Sequence, residues 1–205
     1  MLILYKIRLF LILILFILVN YYHIAGNNTL FAQTRNEAFS EIKIGLNISA
    51  KHNNTYLNDF WSPKTGFTGN IETPFYFGSI TAGLTVLPFK STNIKMPDYT
   101  GQLIFLCWGN ELILPYNSSF YFGFKTGNYT MNFADDTVNT NLKSESEFAA
   151  GLTSRLNIRA FNNFEFNITG DAIKIFTKKK MNIIVFSAGL NYIFSAPAWL
   201  KEFLD

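Results

Sequence analysis

The sequence predicts an all-β chain: an eight-stranded antiparallel up-and-down transmembrane β-barrel, with an N-terminal signal peptide over residues 1–32 and a short C-terminal tail over residues 195–205. Three observations lead there. Period-two alternation of apolar and polar residues recurs along the chain, and amphipathic helix spacing is nearly absent. Tight turns alternate with long polar loops. The polar face of the strands is small-sided and carries charges of both signs, whereas the apolar face is almost free of charge.

Length and composition set the frame. The 205 residues suit one domain or one barrel. Charged residues make up 15% of the chain, against about 25% in an average soluble domain. Aromatics reach 17%, with 22 Phe. A net charge of +3, with no Lys/Arg block interleaved with aromatics, argues against a nucleic-acid partner.

The N-terminus has the three parts of a secretory signal: Lys6 and Arg8, the apolar run Leu9 to Val19, and a cleavage site at Leu30-Phe31-Ala32 before Gln33. The apolar run is short for a spanning helix of roughly 20 residues, although an uncleaved anchor stays open because the following polar region is long. Beyond residue 32 Cys107 is alone, so no internal disulfide forms and a disulfide scaffold is excluded. Cys107 reads as a packed small side chain. No later stretch is long and apolar enough for a spanning helix.

Each strand is read from its alternation. Residues 40–50 place Ile42, Ile44, Leu46 and Ile48 on one face, with Glu41, Lys43, Gly45, Asn47 and Ser49 on the other. Residues 66–77 set Phe67, Ile71, Phe75 and Phe77 against Thr68, Asn70, Glu72 and Tyr76. Residues 79–89 set Ile80, Ala82, Leu84 and Val86 against Thr81, Gly83 and Thr85. Residues 100–114 are mostly apolar, and Glu111 between Leu112 and Leu114 favours even positions as the apolar face. Residues 120–130 set Phe120, Phe122 and Phe124 against Tyr121, Gly123, Lys125 and Gly127. Residues 144–161 put Glu145, Glu147, Arg155 and Arg159 at odd positions, with Phe148, Ala150, Leu152, Leu156 and Ile158 between them. Residues 164–172 set Phe164, Phe166 and Ile168 against Glu165, Asn167, Thr169 and Asp171. Residues 182–194 set Ile184, Phe186, Ala188, Leu190, Tyr192 and Phe194 against Ser187, Gly189 and Asn191.

Short turns fall at 77–79, 115–118 and 161–163. Longer polar loops fall at about 51–64, 88–98 and 131–141, with a compact basic one at 177–181. An even strand count brings both chain ends to the side of the short turns.

Alternation alone does not say which face is inside, since a soluble lipocalin-type barrel buries its apolar face and a secreted β-sandwich has half-buried strands. Four features favour the apolar face outward. The polar face is rich in Gly, Ser, Thr and Asn, as a narrow lumen requires. Its carboxylates Glu41, Glu72, Glu145, Glu147, Glu165 and Asp171 can pair with Lys43, Lys125, Arg155 and Arg159 in a lumen that side chains fill. The apolar face avoids charge along the strand middles, where a lipid-facing Lys or Arg costs about 2–4 kcal/mol. Aromatics crowd the strand ends (Phe75, Phe77, Tyr99, Tyr116, Phe120, Tyr129, Phe161, Phe164, Tyr192, Phe194) as interfacial girdles do. A salt-bridged plug is the expected role of the ten charges, and a conduction path is the alternative.

The last strand adds a resemblance. Ser187-Ala188-Gly189-Leu190-Asn191-Tyr192-Ile193-Phe194 matches an outer-membrane insertion pattern: a polar residue, Gly two later, then aromatic or apolar residues ending in Phe. Residues 36–194 thus resemble the small eight-stranded outer-membrane β-barrel proteins of diderm bacteria (the outer membrane protein beta-barrel domain family). The resemblance implies a place in the bacterial outer membrane, contact with its lipid, and insertion by the barrel assembly machinery through Ser187, Gly189, Tyr192 and Phe194. It also implies extracellular long loops and periplasmic termini. One departure is the segment after Phe194, where Pro197 starts a short amphipathic element with Trp199, Leu200, Phe203 and Leu204 on one side. Members of the family serve as anchors, adhesins, small channels or lipid-modifying enzymes, so fold does not decide function.

The sequence assigns no catalytic residue, metal ligand or cofactor. His52 is the one His after the signal, and no GxSxG, P-loop or dinucleotide pattern occurs. His52 lies near Asp59 and Ser62 in sequence, and Ser91 and Asp98 lie in the next loop, without a His-x-Ser pair. Lys178, Lys179 and Lys180 form a basic tip suited to anionic headgroups or surface glycans. Asn-x-Ser/Thr triplets at Asn53, Asn117 and Asn128 follow from abundant Asn and Thr. The expected role is structural anchoring or surface contact through extracellular loops, with the surface ligand unknown. A porin-like small-solute channel and a lipid A-modifying enzyme are the alternatives.

Overall fold

The computed structural model describes residues 38–52, 59–93, 96–134, 144–161, 163–177 and 181–197. The expected signal peptide (1–32), the Lys178–Lys180 tip and residues 198–205 of the tail lie outside them. The strands are β1 (Glu41–His52), β2 (Trp61–Pro63), β3 (Gly66–Pro74), β4 (Ser79–Ser91), β5 (Tyr99–Leu114), β6 (Ser118–Phe133), β7 (Ser144–Phe161), β8 (Phe164–Ile175) and β9 (Met181–Ser195). All pair antiparallel in one sheet, in the order β2-β4-β3-β1-β9-β8-β7-β6-β5, and β4–β5 pairing closes it.

The nine strands make eight staves, because β2 and β3 are two parts of one. Pro63 pairs with Phe89 and Phe67 with Val86, so four steps along this stave face three along β4. The extra residue is a β-bulge at Lys64–Thr65. The sequence pattern places β2 in the 51–64 loop, and the structure corrects this. Trp61 draws the segment into the wall: its indole N–H donates to Pro97 O at 2.9 Å and its ring meets Tyr99 edge-on at 5.2 Å.

The pairing fixes the stagger of the barrel. Stepping from partner to partner runs Leu103, Thr85, Thr68, Asn47, Gly189, Asn167, Asn157, Ser119, and returns to β5 at Ile113, ten residues beyond the start. With ~3.3 Å per residue and ~4.8 Å between staves, this stagger tilts the strands by roughly 40° to the axis. Eight staves at that tilt leave an interior that side chains can fill.

Three tight connections lie at one end, with the ends of β1 and β9. In the Pro115–Asn117 turn, Tyr116 (φ 61°) and Asn117 (φ 53°) are left-handed, and Ser118 Oγ donates to Pro115 O at 2.6 Å. This conformation matches the twist of a hairpin. β1, β4, β6 and β8 finish at the other end, at His52, Ser91, Phe133 and Ile175.

The wall separates the faces as the alternation requires. Ile44, Leu46, Ile48, Ile104, Leu106, Trp108, Phe122, Phe124, Phe186 and Leu190 are all exposed on the outside. So wide an apolar surface exceeds what a soluble monomer shows and fits hydrocarbon. The even positions of β5 point outward, as expected. Two girdle assignments are corrected: Tyr99 and Tyr129 are each 3% exposed and point into the lumen, following the odd parity of their strands.

Candidate functional site

The interior gathers the buried polar side chains of the described strands, and it is layered. Toward the tight-turn end lies an ionic layer. Lys43 Nζ is 3.4 Å from Glu165 Oε2, 3.7 Å from Glu111 Oε2 and 3.9 Å from Glu72 Oε1. Arg155 pairs with Glu72, and its guanidinium lies 4.7 Å from the centre of the Tyr121 ring. Lys125 Nζ sits 2.7 Å from Asp171 Oδ2 and 4.2 Å over the Phe105 ring.

Neutral donors complete the carboxylates. Thr81 donates to Glu72 at 2.9 Å, Asn191 to Glu165 at 2.9 Å and Asn157 to Glu111 at 2.8 Å, and Ser119 also donates to Glu111. Such a network keeps charges satisfied away from bulk water. Gly45 makes room for it, since a Cβ there falls on the side-chain oxygens of Asn191 and Asn70. On the neighbouring staves a hydroxyl chain links Ser187 to Ser49 (2.8 Å), Ser49 to Thr68 (2.7 Å) and Thr68 to Thr85 (2.9 Å).

Toward the loop end the lumen is mainly apolar, with the buried Lys51 as its charged member. Leu87, Phe89, Tyr99, Leu103, Tyr129, Met131, Ile173, Ile175, Ile183 and Val185 form a buried cluster. The gap among Leu87, Leu103, Ile173, Ile175, Ile183 and Val185 holds about 10 Å³, too little for a water molecule to sit comfortably. Phe89 stacks on Tyr99 at 4.4 Å, and Lys51 Nζ lies 5.6 Å from the Phe89 ring centre.

A void of about 30 Å³ adjoins Asn47, Arg155 and Asp171. Asn47 Oδ1, Arg155 Nε and Asp171 Oδ1 have no protein partner among the described residues. Two acceptors and one donor around that volume suit about two ordered waters.

The ten expected lumen charges all occupy inward positions of their strands, but the structure joins only some of them. Lys43, Glu72, Lys125, Arg155, Glu165 and Asp171 are buried and ion-paired. Glu41 and Glu147 are half-buried near strand ends, and Glu145 and Arg159 are exposed there. None of these four enters an ion pair among the described residues. Glu111 belongs to the network, although the sequence pattern does not single it out as a lumen charge. Its odd position in β5 is the available signal, and in the sequence it serves only to orient that strand.

Of the insertion pattern, Ser187 faces the lumen, whereas Tyr192 faces outward and packs on Phe164 at 5.1 Å. His52 is outward and meets the Phe186 ring edge-on at 6.1 Å. Ser91 and Asp98 meet each other instead, the Ser91 N–H donating to Asp98 Oδ1 at 2.6 Å.

Neither protein-family models nor curated protein sequences give a match to the chain. Solved structures do. Neisserial surface protein A superposes with a TM-score of 0.52 at 10% identity, over 78% of this chain and 100% of that one. Ail, the attachment invasion locus protein of Yersinia pestis, gives 0.52 at 16% identity, over 77% and 99%. The fold is that of the small outer-membrane β-barrels. At these identities the likeness concerns architecture: closed wall, strand count and continuous pairing. Ail has also been solved with the heparin analogue sucrose octasulfate, and that structure superposes at 0.51 with 17% identity.

Proposed function

We propose that the chain is a non-catalytic outer-membrane barrel whose sealed wall anchors loops for contact at the cell surface, with long loops extracellular and both termini periplasmic. The observation that carries this is the filled lumen of the described residues: an apolar cluster, with a gap of about 10 Å³ among its side chains, stacked on an ion-paired layer. A hydrated ion needs a continuous aqueous path, and the tight packing of the inward side chains among the described residues argues against one. Its charges then serve closure and register rather than transport.

Ser187, Gly189, Tyr192 and Phe194 are the candidate contacts for the barrel assembly machinery. For the loops, the sucrose octasulfate bound by Ail suggests an anionic saccharide, and the Lys178–Lys180 tip supplies the matching charge.

Planar bilayers test the sealed lumen. Purified protein is expected to stay silent, and reproducible current steps would establish the channel instead. Replacing residues 53–58 or Lys178–Lys180 is expected to lower cell or glycan binding while heat-modifiable migration persists. Lipid A profiles from cells with and without His52→Ala are expected to be identical, and a difference would favour the enzyme reading.

A further inference from the structure

Along the described strands and the β2–β3 bulge, the ionisable side chains that face outward, tyrosines aside, are all basic and all lie at the loop end. They are His52, the last residue of β1; Lys64, at the bulge; Lys90, next to last in β4; and Lys174, next to last in β8. Every strand carboxylate (Glu41, Glu72, Glu111, Glu145, Glu147, Glu165, Asp171) occupies an inward position. This segregation is one-sided, because pairing on a water-exposed surface would have mixed the signs.

Two of these cations share a built feature. A recess of about 400 Å³ opens on the outer wall between Lys64 and Lys90, with Pro88, Thr100 and Asn132 beside them. The bulge creates it. Outward positions are odd in β3, where Phe67 and Ile71 are exposed, and even in β2, where Ser62 is exposed. The extra residue therefore turns Lys64 out beside Lys90. Neither ammonium is in an ion pair among the described residues. Asp98, at the edge of the recess, already accepts the Ser91 N–H. Below the recess, the same staves present Phe67, Leu84 and Ile104 to hydrocarbon.

We propose that this recess binds the phosphorylated headgroup of a lipid in the surrounding loop-side leaflet, with Lys64 and Lys90 on the phosphate and the acyl chains along Phe67, Leu84 and Ile104. Charge complementarity and position select the occupant. The site opens sideways above an apolar wall, so its ligand is anionic at the top and greasy below. In an outer membrane with extracellular loops, that chemistry is a phosphorylated glycolipid such as lipid A. The inference rests on the membrane orientation proposed above and adds a defined site to it.

Native mass spectrometry of the full chain in detergent micelles tests it, with bis-phosphorylated lipid A, its dephosphorylated form and inorganic phosphate as probes. Wild type is expected to retain the phosphorylated lipid about tenfold better than the dephosphorylated one. Lys64→Gln with Lys90→Gln is expected to abolish that preference, while Lys174→Gln leaves most of it. Equal retention of the two lipids by wild type overturns the site and needs no variant. An unchanged preference in the double variant, or an equal loss in Lys174→Gln, overturns it as well. Displacement by inorganic phosphate at equal concentration identifies a phosphate site rather than a lipid site and also rejects the proposal. Heat-modifiable migration is read in parallel. A folded barrel without lipid preference removes this site and leaves the barrel reading standing, whereas loss of the folded band removes both.

Discussion

Arg155 and Glu72 stand on staves four steps apart in a ring of eight, so their paired side chains meet across the barrel axis. Neighbouring staves are held by backbone bonds, but opposite walls touch only through side chains like these. The pair sits among partners that hold both members in place: Thr81 on Glu72, and the Tyr121 ring under Arg155.

Removing one member leaves the other as a buried, underpaired charge. Arg155→Ala is expected to destabilise the barrel by about 3–5 kcal/mol, read as a lowered urea midpoint in lipid vesicles. Replacing both residues with Met is expected to cost less than the single change, because no charge is then stranded. A single variant as stable as wild type contradicts the assignment.

The apolar layer makes its own prediction. Ile175 is fully buried in the lumen among Leu87, Leu103, Ile183 and Val185, where the remaining gap is small. Ile175→Ala should therefore cost about 2–5 kcal/mol, the transfer loss plus a cavity that a hydrogen-bonded wall cannot collapse to fill. The outward neighbour Lys174, whose ammonium lies 5.6 Å from the Phe176 ring centre at the wall's edge, should tolerate Ala with a change under about 1 kcal/mol. Equal costs at the two positions would remove the layered interior.

These layers mark the limit of what alternation can reveal. Where Ile and Lys, or Phe and Asn, take turns, as in β1 and the first half of β8, the sequence shows both the strand and its inward face. Leu103-Ile104-Phe105-Leu106-Cys107 and Ile183-Ile184-Val185-Phe186 are apolar on both faces, so the greasy half of the lumen is hidden in runs that carry no alternation. The same masking conceals Glu111, one carboxylate among Leu and Ile. Partner choice is hidden for a different reason. Lys43 reaches Glu165 and Glu111 because the closed wall has a stagger of ten residues, a property of the whole ring that no local pattern encodes. Tyr99 and Tyr129 read as girdle residues because they are strand-end aromatics, although their odd positions already point inward.

Gly45 offers a steric test of the amide layer. Any side chain there collides with the Asn70 and Asn191 amides, and Asn191 also holds Glu165. Gly45→Val is expected to destabilise the heat-modifiable form by displacing these amides, whereas Gly69→Val, where the space beside the backbone is open, should fold like wild type. Normal folding of Gly45→Val would show that the amides can move aside and that the layer is not rigid.

The outward face can be tested against lipid itself. Leu106 lies midway along β5, more than half exposed, and its neighbour Cys107 points the other way into the lumen. In a membrane, Leu106→Arg places a cation near the hydrocarbon midplane and should cost about 2–4 kcal/mol of folding free energy in vesicles. In water the same substitution on an exposed side chain would be nearly neutral or would improve solubility. Cys107→Ser, which adds a small hydroxyl beside the Tyr121 hydroxyl 3.3 Å from the present sulfur, should cost less than the Leu106 change. Folding in phospholipid vesicles, measured by urea titration at matched lipid-to-protein ratio, separates the cases. Indifference of the vesicle-folded barrel to the Leu106→Arg substitution would mean that hydrocarbon does not cover this wall.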